Sequence, residues 1–342
     1  MEIIVPAAGA STRFPDMKPK YLLYDYDHKM MIQRALEPYN GHNITIGILK
    51  EHDEKYNASD YLRHEFEDTA KICIMDKMTR GPADTVYQII KNNTSIDLDA
   101  ELLIKDCDNF FDHEMTEGNY ICVSNISNHE VLKKLASKSF VISNEQGIIT
   151  DIIEKNVVSD TFCVGAYKFA SVRMFCEAFE ELDTQNEIFV SDVIQRCLHK
   201  GHIFTEKMVT NYIDVGTAAD WFEYNDKPVI FCDIDGTIMV AQGRVGKNCY
   251  NDAPIPLQDN INKILDYQAK GAQIIFTTAR KYDVLERTTE QLEELGFREY
   301  TLIMELQNSK RIIINDFNNA NPYPRAEAIN IQRDTNELSR YL

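Results

Sequence analysis

Along the first two thirds of the chain, short β-branched and apolar runs alternate with stretches whose apolar positions recur every three or four residues. The runs lie at 2–5, 44–49, 71–75, 101–105 and 119–123, and helical patterns such as Met30 to Leu36 and Ala83 to Lys91 fall between them. This alternation predicts an α/β fold with a mainly parallel sheet, each strand returning through a helix. Further strands are predicted at 139–143, 147–154 and 162–169, with helices near 171–182 and 190–200. The polar break from Glu223 to Pro228 interrupts the series, and a new buried strand starts at Val229. Behind it the pattern predicts helices at about 258–270 and 282–295 and strands at 272–277, 300–304 and 311–314. The expected architecture is two doubly wound, mainly parallel-sheet domains, 1–225 and 226–342.

Charge narrows the partners. The 342 residues carry a formal net charge of −18; residues 1–225 hold 37 acids against 22 Lys and Arg, and the remainder 17 against 14. A surface of this sign repels nucleic acid and anionic lipid, so neither is an expected partner, and phosphate has to be met locally by a few cations and metal ions. No segment reaches ~18 uninterrupted apolar residues, and the N-terminus begins directly with a strand, which suits a soluble cytoplasmic protein. The 8 cysteines include no C-x-x-C pair, and Cys73, Cys122, Cys163 and Cys232 sit in apolar runs, as reduced core thiols do. Assembly is left open between a single chain and a homo-oligomer.

The chemistry starts at Val5, where an apolar strand turns into a small-residue loop containing Ala8 and Gly9, followed by Arg13, Lys18, Pro19 and Lys20. Small residues let backbone N–H groups approach phosphate oxygens, and the cations offset the charge that grows when phosphorus is attacked. An ordinary βα turn has the same outline, but it does not need Arg13 and Lys20 at this spacing. Ligands gather where parallel strands end. Two such ends carry acids: the run 102–105 stops at Asp106 and Asp108, and Tyr212-Ile213 stops at Asp214 before a Gly turn. Carboxylates so placed suit Mg²⁺, although acids after strands also cap helices.

Residues 2–23 resemble the start of the sugar-phosphate nucleotidylyltransferases, whose signature is a small-residue loop, then Arg, then Pro-Lys. Several glycines of that loop are replaced here by Ala10, Ser11 and Thr12. The resemblance extends to Asp108-Asn109-Phe110-Phe111 and to Asp214-Val215-Gly216-Thr217, which match the family's metal pair, with Asp106 the less favoured ligand. Thr79 to Val86, with Gly81, resembles the segment that reads the base, and Glu154-Lys155 resembles the pair that meets the sugar phosphate. The resemblance implies a nucleotidyltransferase domain in which an acceptor phosphate attacks the α-phosphorus of a nucleoside triphosphate. CTP is the first choice of donor, a sugar or polyol phosphate the acceptor, Mg²⁺ the cofactor, and capsular or lipopolysaccharide assembly the setting.

Asp233-Ile234-Asp235-Gly236-Thr237, directly after an apolar strand, resembles the first motif of the haloacid dehalogenase-like phosphatases. There the first Asp attacks phosphorus and the second protonates the leaving alcohol. Thr278 after the strand 272–277 fits the second motif, Lys310 the third and Asp316 the fourth, with Asn315 where many members have an acid. Asp233, Asp235 and Asp316 are the implied ligands of a second Mg²⁺, and the short stretch from Thr237 to Gln258 leaves little room for a large cap. The whole reads as a bifunctional enzyme. The alternative is a phosphohydrolase whose N-terminal domain binds nucleotide only as a regulator.

Overall fold

The structure, a computed structural model, describes all residues except 68, 128–134, 136–137, 183–185, 242–252 and 317–325. The chain divides into two compact units, Met1–Asn225 and Asp226–Leu342.

The first unit is built on a nine-stranded sheet. Its strands are β1 (Glu2–Pro6), β2 (Asn43–Leu49), β3 (Ala70–Met75), β4 (Leu102–Lys105), β6 (Tyr120–Asn125), β7 (Ser139–Ser143), β8 (Ile148–Glu154), β9 (Thr161–Phe169) and β10 (Phe204–Met208), in the order β3-β2-β1-β4-β9-β6-β10-β8-β7. A separate ribbon pairs β5 (Asn109–Asp112) with β11 (Thr210–Asp214). The helices are α1 (Met31–Leu36), α2 (Lys50–Tyr56), α3 (Ala58–Glu65), α4 (Pro82–Asn92), α5 (Val172–Glu180), α6 (Val190–His199) and α7 (Ala218–Asn225).

The expectation of a mainly parallel sheet holds for β3-β2-β1-β4, whose pairings are parallel, and for β6 with β10, but not for the other pairings. β9 runs antiparallel to both β4 and β6, and β8 antiparallel to β7 and β10. Connection length accounts for part of the difference. The strands β1 to β4 are joined by segments long enough to hold a helix, whereas β7 and β8 are joined by a four-residue turn, which only antiparallel neighbours can use. Periodicity did not reveal β5, β10, β11, α2, α3 or α7, which are short or charge-rich.

Each strand feeds two cores because its side chains alternate. Ile4, Leu102 and Ile104 join Val86, Ile89, Phe175 and Val193 on one face, while Ile3, Val5 and Leu103 join Tyr21, Ile32, Tyr39 and Leu62 on the other. Each such fully buried aliphatic side chain contributes about 1.5–3 kcal/mol. Gly47 in β2 is where α4 comes closest: a Cβ there would lie 2.6 Å from Ile89 Cδ1.

The second unit has β12 (Val229–Asp233), β13 (Gln273–Thr277) and β14 (Thr301–Ile303), all parallel and in sequential order, with α8 (Gln258–Ala269) and α9 (Leu285–Glu294) between them. Ile234, Ile261, Ile264, Phe276, Leu292 and Phe297 form its core. The strand order never reverses, so the described part winds one way only and is not doubly wound. The strand expected at 311–314 is absent: residues 311–316 carry no regular structure, and Ile312 and Ile314 are 73% and 89% exposed. An apolar run becomes a strand only when a sheet edge pairs it and a core covers it, and neither happens here. The stretch expected to leave no room for a large cap falls mostly on 242–252, outside the described residues. No described helix is long and apolar enough to cross a membrane, and the described cysteines are free.

His113 follows β5 among Tyr39, Phe111 and Tyr120, with its ring nitrogens 3.4 Å and 3.3 Å from the Tyr39 and Tyr120 hydroxyls. Burial, helped by Lys105 and Lys207, lowers its pKa from 6.5 to about 4. The folded state therefore resists a proton that the unfolded chain accepts, so stability is full above pH 6.5 and falls as pH drops toward about 4. Urea midpoints measured at pH 7 and pH 4.5 should differ less in His113→Asn than in the unsubstituted protein.

Candidate active site

β1 and β4 lie side by side, and the strand order reverses between them, opening a crevice at their C-terminal ends. The loop from Ala7 to Lys20 leaves β1 there, and Asp106 to Asp108 leave β4. Phe14, packed with Met31, Phe110, Val215 and Trp221, anchors the loop from below. Ser11 adopts a left-handed φ of 52°, its Oγ accepts from the Lys20 N–H at 3.3 Å, and the Arg13 carbonyl accepts from the Ala218 N–H at 3.2 Å. Gly9 meets nothing within 4 Å where a Cβ would stand, so protein packing does not require glycine there. Ala8 is buried, and the loop opens to solvent at Gly9 and Ala10.

The β5–β11 ribbon then completes the site. It sets Asp214 opposite Asn109, and the Val215 N–H donates to the Asp108 carbonyl at 3.0 Å. One point, where a Cβ of Gly216 would be, lies 3.0 Å from Asp214 Oδ1, 3.2 Å from Asp108 Oδ2 and 3.4 Å from Arg13 Nη1. Asp108, Asp214 and Arg13 thus surround one small space that only glycine leaves clear.

Cations compensate both acids. Lys20 Nζ donates to Asp108 Oδ2 at 2.6 Å, with Arg13 Nη2 3.5 Å from the same oxygen. On the other side Lys138 Nζ stands 2.6 Å from Asp214 Oδ2 and donates to the Tyr212 hydroxyl at 3.0 Å. Burial opposes the charge of Asp108, but Lys20, Arg13 and Lys138 outweigh it and hold the carboxyl well below the usual range. Burial also works against the Lys20 and Lys138 ammonium groups, which Asp108, and Tyr212 with Asp214, nevertheless raise. Asp106 goes the opposite way: burial, with the Asp108 charge adding, pushes it up to about 6. Beneath them Lys105, 1% exposed, donates to the Asn109 carbonyl at 2.9 Å, Asn109 Oδ1 at 2.5 Å and the Asp106 carbonyl at 2.7 Å, pinning the turn that carries both acids. Burial lowers its pKa to about 8.

The remaining expected residues of this unit lie as follows. Gly81 has φ 125° and opens α4; a Cβ would fall 2.5 Å from the Ile188 carbonyl oxygen, so close approach of the 187–188 backbone accounts for the glycine. Glu154 accepts from Ser139 Oγ and, at 2.8 Å, from Ser191 Oγ. Lys155 adopts a left-handed φ of 54° and sets its Nζ 4.1 Å from the centre of the Phe189 ring, so the structure does not bring it to the carboxylates. Lys138, which it does bring there, escaped the sequence reading. The one signal was a Lys immediately before a predicted strand.

In the second unit Asp233 ends β12 and Asp235 lies two residues beyond it, but each is held by an arginine. Asp235 is clamped by Arg280, with Nη2–Oδ1 at 2.6 Å and Nε–Oδ2 at 2.9 Å, and Arg280 is buried with Nη1 2.7 Å from Gln291 Oε1. Asp233 Oδ1 faces Arg311 Nη2 at 3.0 Å; burial raises this carboxyl while Arg311 opposes. Arg311, beside the expected Lys310, is thus the cation at Asp233, and Lys310 is exposed. Thr278 is buried after β13 and accepts from the Arg280 N–H at 3.1 Å. The described residues contain no group of three or more His, Cys, Asp or Glu side chains arranged to hold a metal, so Asp316, on an exposed segment, does not complete the expected set with Asp233 and Asp235.

No protein-family model matches the chain, and no curated protein does. Solved structures do. The nucleoside-diphosphate-sugar pyrophosphorylase from Vibrio cholerae RC9 superposes with a TM-score of 0.56 at 17% identity, over 65% of this chain and 98% of that one. The inositol-1-phosphate CTP transferase from T. maritima gives 0.52 at 18% identity, over 64% of this chain and 90% of its own. The aligned two thirds of the chain share their fold. The covered share is close to the proportion that Met1–Asn225 makes of the chain.

Removing the clamp on Asp235 should be felt in the second unit. Arg280→Met leaves the Asp235 charge without its buried partner and should cost that unit about 3 kcal/mol, read as a lower urea midpoint for its transition.

Proposed function

We propose that the first unit transfers a nucleotidyl group from a nucleoside triphosphate to a sugar or polyol phosphate. The observation that carries this reading is the gathering of Arg13, Lys20, Asp108 and Asp214 around one small space at the strand-order reversal between β1 and β4. In the reaction an acceptor phosphate oxygen forms a bond to the α-phosphorus. The bridging P–O bond to the β-phosphate breaks, and pyrophosphate departs with that electron pair. Arg13 and Lys20 hold the triphosphate and offset the charge accumulating on it, while the loop at Ala8 and Gly9 admits the phosphates and Gly81 the base. Asp108 and Asp214 fit Mg²⁺, which takes one or two carboxylates and fills its shell with water and phosphate oxygens. When bound, Mg²⁺ would supply charge neutralisation across the two polyanions.

CTP is the proposed donor, and assembly of capsular or other surface polysaccharide the proposed setting. The signature around Arg13 and Lys20 supports both, and the fold shared with an enzyme named for CTP transfer to inositol 1-phosphate supports the first.

For the second unit, a Mg²⁺-dependent phosphatase acting on a related phosphorylated sugar is supported by the sequence Asp233 to Thr237 and by Asp233 ending β12 next to Thr277. Such a cycle requires Asp235 to leave Arg280 before it can protonate a leaving alcohol.

Four nucleoside triphosphates incubated with Mg²⁺ and a panel of phosphorylated sugars and polyols, with products identified by mass spectrometry, test both units. We expect pyrophosphate release that falls about 10²–10³-fold in Lys20→Met and persists in Asp233→Asn. Phosphate release without pyrophosphate would favour the phosphohydrolase reading with a regulatory nucleotide domain.

A further inference from the structure

Two polyanions must meet in this site, and the cations of the β1 loop serve only one side of it. Arg13 and Lys20 both reach Asp108. The Asp214 side is served from the β7–β8 hairpin, whose β7 also pairs with β9 beside β4, and there Lys138 Nζ is 2.6 Å from Asp214 Oδ2. Lys138 immediately precedes β7, whose first residue Ser139 pairs with Glu154. The ladder continues one step further, with the Lys155 N–H donating to the Lys138 carbonyl at 3.0 Å, so the two lysines are cross-strand neighbours. Side chains opposite each other in an antiparallel pair share a face, and both would point into the site. The left-handed backbone of Lys155 breaks that symmetry, turning its ammonium onto Phe189 and leaving the inward place to Lys138.

We infer that Lys138, rather than Lys155, is the cation that receives the acceptor's phosphate, an inference that rests on the proposed transfer. Its surroundings suit the task. Asp214 and Tyr212 take two of its three N–H donors among the described residues, which leaves a third for an incoming oxygen. The Tyr212 hydroxyl and Asp214 hold the ammonium in place before substrate arrives, so little ordering remains to be done on binding. Lys138 is thereby separated from the triphosphate cations by the carboxylate pair itself. Acceptor and donor phosphates are then drawn to opposite sides of that pair, and the attacking oxygen is kept apart from the β- and γ-phosphates that Lys20 and Arg13 hold.

The test uses the full chain with CTP, and inositol 1-phosphate and glucose 1-phosphate as acceptors, reading pyrophosphate release. Lys138→Met should raise the acceptor KM about 10- to 100-fold while the CTP KM moves less than about threefold, the loss expected for one charge-assisted hydrogen bond. Lys155→Ala should have the smaller effect of the two, and Lys138→Arg should recover part of the loss. An acceptor KM within about twofold of the unsubstituted protein in a normally folded Lys138→Met, or a larger loss in Lys155→Ala, overturns the inference. Should Lys138→Met fail to unfold cooperatively, Lys138→Arg decides: a shifted acceptor KM with an unshifted CTP KM supports it, and two unshifted constants overturn it. If the unsubstituted protein releases no pyrophosphate with any acceptor, the transferase reading itself fails. Calorimetric binding of inorganic phosphate then decides for Lys138: weaker binding in Lys138→Met or Lys138→Arg supports it, and equal or absent binding overturns it.

Discussion

Two carboxylates drawn close together in a part-buried crevice repel each other and lose hydration, so a site containing Asp108 and Asp214 is stable only with cations beside it. Lys20 and Lys138 supply one ammonium to each, and Arg13 adds a guanidinium on the Asp108 side. The rest of the first unit can be read as the means of delivering these five side chains. The β1 loop brings Arg13 and Lys20, the β4 turn brings Asp108, the β5–β11 ribbon brings Asp214, and the β7–β8 hairpin brings Lys138. Lys105 works beneath them, its buried ammonium spent on carbonyl oxygens of the Asp106–Asn109 turn. The arrangement keeps positive charge ready where a polyanion would enter, on a protein whose overall charge is −18.

The second unit obeys the same electrostatic rule with a different outcome. Asp233 also ends a strand and Asp235 lies just beyond it, but the fully buried Arg280 takes both oxygens of Asp235 and Arg311 takes one of Asp233. Arg280 uses its planar fork to hold both oxygens of Asp235, whereas Arg311 makes a single, largely exposed contact with Asp233. The same acids that a sequence motif marks for chemistry are, in this structure, engaged in ion pairs.

The elements legible in the sequence were those whose own side chains announce them. Ile3 to Val5 and Leu102 to Ile104 are apolar throughout, and Ile44 to Ile48 apart from Thr45 and Gly47, because both faces of a parallel strand are covered, and helix α4 shows its buried stripe at Val86, Ile89 and Ile90. β5 and β11 were not legible, since a short ribbon with charged and polar positions has no distinctive period. The strand expected at 311–314 was misread because an apolar run records only a capacity to pair. The direction in which β9 and β8 run against their sheet neighbours was set by pairings between distant segments, which the pattern alone does not record.

For the candidate site, the sequence by itself determined the chemical inventory: small residues after β1, then Arg13 and Lys20, with acids at the ends of two apolar runs. Those are local facts, because phosphate-compatible loops and strand-end carboxylates are each made by neighbouring residues. Tertiary structure alone decided which side chains meet. Asp214 reaches Asp108 through a pairing between distant segments, and Lys138 rather than Lys155 faces them because one residue's backbone turned left-handed at the end of a ladder. Contacts of that kind depend on register and on a single φ angle, neither of which leaves a periodic trace in the order of residues.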